Sequence, residues 1–110
     1  MIKNYSGYSW KQIEQIENKE DCILILPISS LEQHGIQLPL GTDDIILQKI
    51  LDALIDNPSV IGDYLLLPAL HYGLSPEHMD FSGTITLSPK TLISVIEDII
   101  QSIKKHGFNK

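Results

Sequence analysis

Cysteine is nearly absent from this sequence. The 110 residues include one cysteine, so no disulfide can form within the chain, and nothing points to an oxidising compartment. That residue, Cys22, lies inside an apolar run, a position typical of a free thiol buried for structural reasons.

Basic residues are also scarce. Eight Lys plus Arg stand against fourteen Asp plus Glu, which gives a formal net charge of -6. A surface that follows nucleic-acid phosphates needs clustered positive charge, so we expect no nucleic-acid partner.

Long apolar runs are missing as well. No apolar stretch reaches the roughly 18 residues that a membrane-spanning helix requires, and the opening MIKNYSGYSW lacks the apolar segment of a signal peptide. We therefore expect no membrane partner and a cytoplasmic location. Repeats, low-complexity tracts and linker-like segments are absent too, so residues 1–110 are predicted to form a single domain.

The sequence does contain an alternation of strand and helix patterns. Two continuous apolar runs, CILILP at 22–27 and DYLLLPAL at 63–70, have the length and composition of strands covered on both faces. The short TITL at 84–87 is a third, less clear-cut candidate strand. Strands of this kind separated by helices predict an α/β fold with a mostly parallel sheet.

Three segments have the apolar spacing and end signals of helices. They are SWKQIEQIEN at 9–18, DDIILQKILDALI at 43–55 and SPKTLISVIEDIIQSIKKHG at 88–107. The residues expected to face the core are Trp10, Ile13 and Ile16 in the first helix; Ile46, Leu47, Ile50, Leu51 and Leu54 in the second; and Leu92, Val95, Ile96, Ile99, Ile100 and Ile103 in the third.

Residues with metal-ligand chemistry follow the first predicted strand. The stretch SSLEQHGIQLPLGTDDIIL at 29–47 places Glu32 and His34 just past that strand and Asp43 at the start of the second helix. In α/β sheets the reactive site lies beyond the carboxyl ends of the strands, and residues two apart in an extended segment point the same way. Glu32 and His34 can therefore face one ion together, and carboxylate with imidazole suits zinc, manganese or iron.

The same residues also have ordinary structural explanations. Glu-x-His occurs often by chance, Asp43 is a common type of helix-start residue, and His34 beside Gly35 fits a turn. Spacing alone leaves both interpretations open.

A more specific signal is the literal sequence. EQHGIQLPLGTD at 32–43 resembles the EQHGPHLPLGTD signature of the creatininase family. YGLSPEHMDFSGTITLSPKTL, followed by IIQSIKKHGF, resembles a second signature block of that family. Together the two blocks span most of the chain, from residue 32 to residue 108, in the family's order.

The resemblance implies a metal-dependent amidohydrolase with a three-layer α/β/α fold and two divalent ions per active site, zinc first, with manganese or iron as alternatives. It also implies a homo-oligomer, often a hexamer. Matched position by position, Glu32 corresponds to a ligand of one metal, His34 to a ligand of the other, and Asp43 to the carboxylate that bridges both. Asp44 falls beside the motif and is expected to be a helix-start residue.

The chain also departs from the family pattern. Ile36 and Gln37 replace a common Pro-His pair, and Ser82 replaces a frequent proline, but none of these positions carries a metal ligand. The larger departure is an absence, because the family's NGHGGN-type motif, which supplies further ligands, is expected just beyond Lys110. The chain therefore resembles the N-terminal portion of a creatininase-like domain.

Glu77 and His78 are the predicted local contributors to catalysis. They lie in a loop bounded by glycine and proline, and such a loop can fold over a site, line its pocket or support its ligands. A solvent-facing pair is the alternative, and no residue of the chain is assigned as the general acid.

Two functions remain open at this point. The first is hydrolysis of an amide in a small-molecule substrate: a small cyclic amide such as creatinine, a formylated pyrimidine intermediate, or a short peptide. The second is a catalytically inert half that acts as a structural subunit or needs a complementing C-terminal half. The inert half predicts exposed apolar surface at a sheet edge and on a helix face.

Overall fold

The computed structural model describes residues 1–110 and contains three short strands and three helices. In chain order these are β1 (Ile2–Asn4), α1 (Trp10–Glu14), β2 (Ile23–Ile25), α2 (Thr42–Ile55), β3 (Tyr64–Leu66) and α3 (Pro89–Lys105). Short 3₁₀ turns occupy Tyr5–Gly7 and Pro76–His78. No helix combines the length and apolar character needed to cross a membrane.

The sheet has the strand order β1-β3-β2, and every pairing is parallel. The prediction of an α/β fold with a parallel sheet is therefore confirmed. The third strand is not the predicted TITL segment, whose Ile85 makes only an isolated bridge to Leu31. It is β1 instead, where Ile2 pairs with Tyr64. Three residues at the chain start carry too short a pattern to be recognised as a strand before their partner is known.

The helix ends follow local rules. Ser88 caps α3 by accepting a hydrogen bond from the Thr91 N–H, and Pro89 occupies the first helical position. Gly107, with φ of 97°, ends the helix in the left-handed conformation that glycine favours. Ser9 caps α1 through a reciprocal pair of hydrogen bonds with Gln12.

The first helix is shorter than predicted, and one of its apolar residues does not face the core. It ends at Glu14 and not near Asn18, and Trp10 is 75 % exposed. Ile13 and Ile16 do pack inward, against the cluster around Phe108. A helix of barely more than one turn can direct only part of its apolar stripe to the sheet.

The sheet is covered on both faces, as a three-layer arrangement requires. On one face, α2 packs through Leu51 against Ile2 and Leu66. On the other, Cys22, Leu65 and Phe108 form a second cluster, joined by residues of α1 and α3. Leu65 and Leu66 are adjacent in β3 and point to opposite faces, which explains why this strand is apolar throughout.

Much of the apolar surface of α2 and α3 stays exposed, contrary to the sequence prediction. In α2, Ile46 and Ile50 are each 52 % exposed, and no residue of α3 is fully buried. A cavity of about 460 Å³ separates α3 from β2 and is lined mainly by apolar residues. Three-residue strands are too small to cover these stripes, so the apolar face predicted for an inert half is present.

Asp44 connects the start of α2 to the segments that follow β2 and β3. Its Oδ1 lies 2.7 Å from His71 Nδ1 and accepts a hydrogen bond from the Ser29 hydroxyl at 2.9 Å. The contacts from His71 and then from Ser29 lower the pKa of Asp44 below its ordinary value. Asp44 is thus more than a helix-start residue, because it holds three separate segments together.

Replacing Phe108 by alanine tests the second cluster. Phe108 is 0 % exposed, so Phe108→Ala should leave a cavity and lower the free energy of unfolding by roughly 3–5 kcal/mol. Urea denaturation followed by circular dichroism measures this loss. Phe81→Ala is the matched control, since that ring is 54 % exposed and its loss should change the unfolding free energy by about 0.5 kcal/mol or less. Equal losses in the two variants would contradict the packing described.

Replacing Asp44 by alanine tests the connection between segments. Because the carboxylate is part-exposed, Asp44→Ala should lower the unfolding free energy at neutral pH by about 1 kcal/mol. A depressed pKa means that this stabilisation is present above the unfolded-state value and is lost as pH falls through the folded-state value. Urea melts over a pH series should therefore show the two proteins converging in acid. A difference that grows as pH falls would contradict the pairing.

Candidate metal centre

The candidate site lies beyond the carboxyl ends of β2 and β3. After the sheet ends, a bridge between Ile28 and Leu70 continues the parallel pairing of the two segments. Further along the segment after β2, Leu31 contacts the loop that precedes α3, because the Ile85 N–H donates to the Leu31 carbonyl at 3.0 Å. The polar residues of the first segment are thus placed by backbone hydrogen bonds on both sides.

Glu32, His34 and Asp43 come together at this edge. His34 Nε2 lies 3.0 Å from Asp43 Oδ1, and one ligand atom from each of the three residues falls within 4.8 Å of the others. Asp43 is in the first turn of α2, so its backbone position is fixed by the helix. All three side chains are partly buried, which limits competition from bulk water.

The two ring nitrogens of His34 have different partners. Nδ1 faces the Glu32 carbonyl and Nε2 faces the Asp43 carboxylate. The His34 Nδ1 lies 3.1 Å from the Glu32 carbonyl, an acceptor only, so Nδ1 carries a proton. That hydrogen bond, reinforced by the negative charge of Asp43, raises the pKa of His34 above its ordinary value. In the neutral ring the Nε2 lone pair would face Asp43 Oδ1, so a proton or a metal ion is required between them.

Glu32 has an oxygen with unused bonding capacity. Its Oε2 is buried without a hydrogen bond of good geometry, although His78 Nε2 lies 2.9 Å away. A buried carboxylate oxygen without a full set of partners costs free energy, which an ion would offset. The donor set of two carboxylates and one imidazole fits a divalent metal ion such as zinc or manganese.

The structure places Glu77 and His78, the predicted pair, in different environments. Both lie at the 3₁₀ turn 76–78, but the Glu77 side chain is 63 % exposed whereas that of His78 is 29 % exposed. Glu77 Oε1 is 3.6 Å from His78 Nε2. Glu32, Glu77 and His78 also form a second group whose ligand atoms converge, and Glu32 belongs to both groups.

A cavity of about 380 Å³ opens beside His34. Its walls include Phe81 and Ser82 from the loop before α3 and Leu38 and Leu40 from the loop before α2. The larger cavity between β2 and α3 contains none of the candidate ligands and is an apolar gap in packing. The smaller one is therefore the cavity that adjoins a candidate ligand, His34.

Sequence reasoning missed two polar contacts near the site. Gln33 lies between the predicted ligands, and its Nε2 is 2.8 Å from His78 Nδ1. His71 Nδ1 lies 2.7 Å from Asp44 Oδ1, whereas Asp44 was expected only to start a helix. Each contact joins residues more than twenty-five positions apart in the chain, so no local pattern could have revealed it.

Comparisons with known proteins show the family to which the chain belongs. The family model described as creatinine amidohydrolase matches residues 6–110. A creatinine amidohydrolase from Pseudomonas putida is 31 % identical over 104 residues, which cover 90 % of this chain and 38 % of that protein. A mycofactocin precursor peptide peptidase from Mycobacterium tuberculosis (strain CDC 1551 / Oshkosh) is 34 % identical over 79 residues, or 66 % of this chain and 32 % of that protein.

Solved structures give the same result. A creatininase designated Mn superposes with a TM-score of 0.79 at 28 % identity, covering 97 % of this chain and 42 % of its own. A mutant creatininase of the Zn-Zn type gives a TM-score of 0.76 at 28 % identity, covering 94 % and 41 %. The chain thus spans about two fifths of the length of the P. putida relative and of these structures. With the family model matched over almost all of its residues, this chain belongs to the creatininase family.

Proposed function

We propose that this chain provides the metal-holding N-terminal portion of a metal-dependent amidohydrolase. The observation that carries the proposal is the convergence of Glu32, His34 and Asp43, whose ligand atoms lie within 4.8 Å of one another. Two features point to a bound cation: Glu32 Oε2 has no hydrogen bond of good geometry, and His34 Nε2 has a lone pair directed at Asp43 in the neutral ring. The creatininase structures designated Mn and Zn-Zn support divalent ions as the occupant.

We assign separate roles to the three ligands. Glu32 would hold one ion, His34 the other, and Asp43 would bridge the two through its two carboxylate oxygens. Zinc is the first choice of metal, with manganese or iron as alternatives. The structure of the Zn-Zn type supports two ions for such a site, and the two carboxylates would neutralise part of their positive charge.

When bound, such ions supply a water of lowered pKa and polarise the scissile amide carbonyl. The chain's own residues orient the site around them. Asp43 is held rigidly by the first turn of α2, and His34 is held by its hydrogen bond to the Glu32 carbonyl. His78 Nε2 lies 2.9 Å from Glu32 Oε2 and would help to hold that ligand in place. The Glu77 side chain is 63 % exposed, so it can contact a substrate.

The substrate class proposed is a compound with a hydrolysable amide bond. The two named relatives, a creatinine amidohydrolase and a peptide peptidase, support a small cyclic amide and a short peptide as candidates. The formamide is retained from the sequence comparison with the family alone. The cavity beside His34, about 380 Å³, has the size of a small-molecule site. Assays should therefore include creatinine, a formamidopyrimidine and a short peptide.

A specific observation favours a second function, that of a complementing or structural half. β2 lies at the edge of the sheet, with β3 as its one strand neighbour. On its other side the Leu24 N–H donates to the Lys110 carbonyl at 3.0 Å. The neighbouring α3 presents a half-covered apolar face beside the 460 Å³ cavity. Such surface suits either association with identical chains or a complementing C-terminal half.

Replacing Asp43 by asparagine tests the bridging role. Asp43→Asn preserves shape and the helix start but removes the charge, so Zn²⁺ affinity should fall by more than about 100-fold, beyond the effect typical of a residue that only supports a ligand. Calorimetric titration measures the affinity. Asp44→Asn is the matched control at the next position and should retain Zn²⁺ binding. Equal affinity in Asp43→Asn and the unsubstituted chain would contradict the bridging role.

Metal analysis of the purified chain separates the two functions. The chain alone, and the chain mixed with the C-terminal half of a full-length relative, are compared for bound metal and amide hydrolysis. Metal retained in stoichiometric amounts by the chain alone rules out the inert half. Metal and activity found only after mixing support a half-site that needs its complement, since three ligands leave two ions under-coordinated.

A further inference from the structure

We propose that Gln33 is a positioning residue of the candidate metal centre, because it sets the tautomer of His78 so that a protonated Nε2 faces the Glu32 carboxylate. His78 then supports Glu32 and is not itself a metal ligand. The part of this inference that concerns metal rests on the proposed function, whereas the tautomer of His78 does not.

A backbone donor determines which way the Gln33 amide points. The Gly35 N–H donates to Gln33 Oε1 at 2.9 Å. A backbone N–H can only donate, so the side-chain atom that it contacts is the amide oxygen. The amide nitrogen of Gln33 is therefore the atom that lies 2.8 Å from His78 Nδ1.

The orientation of that amide determines where the proton of His78 sits. An amide nitrogen is a donor only, so His78 Nδ1 must accept, and the proton of the neutral ring is on Nε2. This Nε2 lies 2.9 Å from Glu32 Oε2, a close polar contact that falls short of good hydrogen-bond geometry. In the other tautomer two N–H groups would meet at Nδ1 and two lone pairs would meet at Oε2, so both contacts would become repulsive.

Both ends of this chain of contacts are anchored by the fold. The Gln33 backbone N–H donates to Thr84 Oγ1 at 3.0 Å, and Thr84 is 8 % exposed. On the other side, the His78 N–H donates to the carbonyl of Ser75, a residue that is 0 % exposed. The backbones of Gln33 and His78 are thus each held by a hydrogen bond to a buried residue, and neither hydrogen bond involves an ion.

The assignment distinguishes the two groups of convergent ligand atoms. In the group of Glu32, Glu77 and His78, the nearest imidazole nitrogen carries a proton, and the Glu77 side chain is 63 % exposed. In the group of Glu32, His34 and Asp43, the imidazole nitrogen that faces the carboxylate is unprotonated in the neutral ring. The group of Glu32, His34 and Asp43 is therefore the one able to bind metal, and His78 acts through its contact with Glu32.

The protonation pattern of His78 tests the proposal directly. Proton–nitrogen correlation spectra of the metal-free chain, recorded at about pH 8, distinguish a protonated ring nitrogen from a bare one. His78→Gln identifies the signals of His78. We expect a protonated Nε2 and a bare Nδ1; Gln33→Leu should mix the tautomers, and Gln33→Glu should draw the proton to Nδ1. A protonated Nδ1 in the unsubstituted chain, or a His78 spectrum unaffected by Gln33→Leu, would overturn the proposal.

Zn²⁺ affinity provides the second readout. Gln33→Leu should weaken binding by about 10- to 100-fold, while the control Gln37→Leu, at an exposed position in the same loop, should leave affinity and spectrum unchanged. If the chain binds no Zn²⁺, either alone or mixed with the C-terminal half of a full-length relative, but His78 shows the expected tautomer, the proposed function fails and the Gln33–His78 arrangement stands. If Gln33→Leu binds Zn²⁺ as tightly as the unsubstituted chain, the positioning role fails and the proposed function stands.

Discussion

The parallel pairing of β3 with strands on both of its sides is the constraint on which the rest of the structure depends. It places Leu65 and Leu66 against opposite apolar clusters, so each face of the sheet needs its own helical cover. It also brings the segments that follow β2 and β3 to one edge, because parallel strands end at the same side. Glu32 comes from the first of these segments and His78 from the second.

The negative charge at the candidate metal centre is only partly compensated by the protein's own groups. Two carboxylates, Glu32 and Asp43, converge with one imidazole, and a buried oxygen of Glu32 lacks a well-formed hydrogen bond. Partial burial raises the free-energy cost of such groups. A divalent cation would offset this cost, which is the physical reason to expect metal here, independently of family membership. Gln33 and His78 prepare the site by holding Glu32 in one orientation.

The chain has a small core and much exposed apolar surface. Only 12 of 110 residues are buried, and isoleucines of α2 and α3 remain open to solvent. The chain also spans about two fifths of the length of the P. putida relative. The proposal that the active unit contains more polypeptide than these residues explains three features: the small core, the exposed apolar faces and the site with three ligands. The additional polypeptide would be identical chains or a complementing half.

The sequence by itself determined the features that depend on neighbouring residues. The α/β class, the Ser88 cap and the Gly107 end of α3 follow from periodicity and capping, which are local, and the motif at 32–43 identified the family and predicts its ligand types. The tertiary structure decided what depends on distant partners. It made Ile2–Asn4 a strand in place of TITL, left much of the helical stripes uncovered, and joined Gln33 to His78. Strand pairing and side-chain contact across tens of residues are set by how the elements pack, which no local pattern encodes.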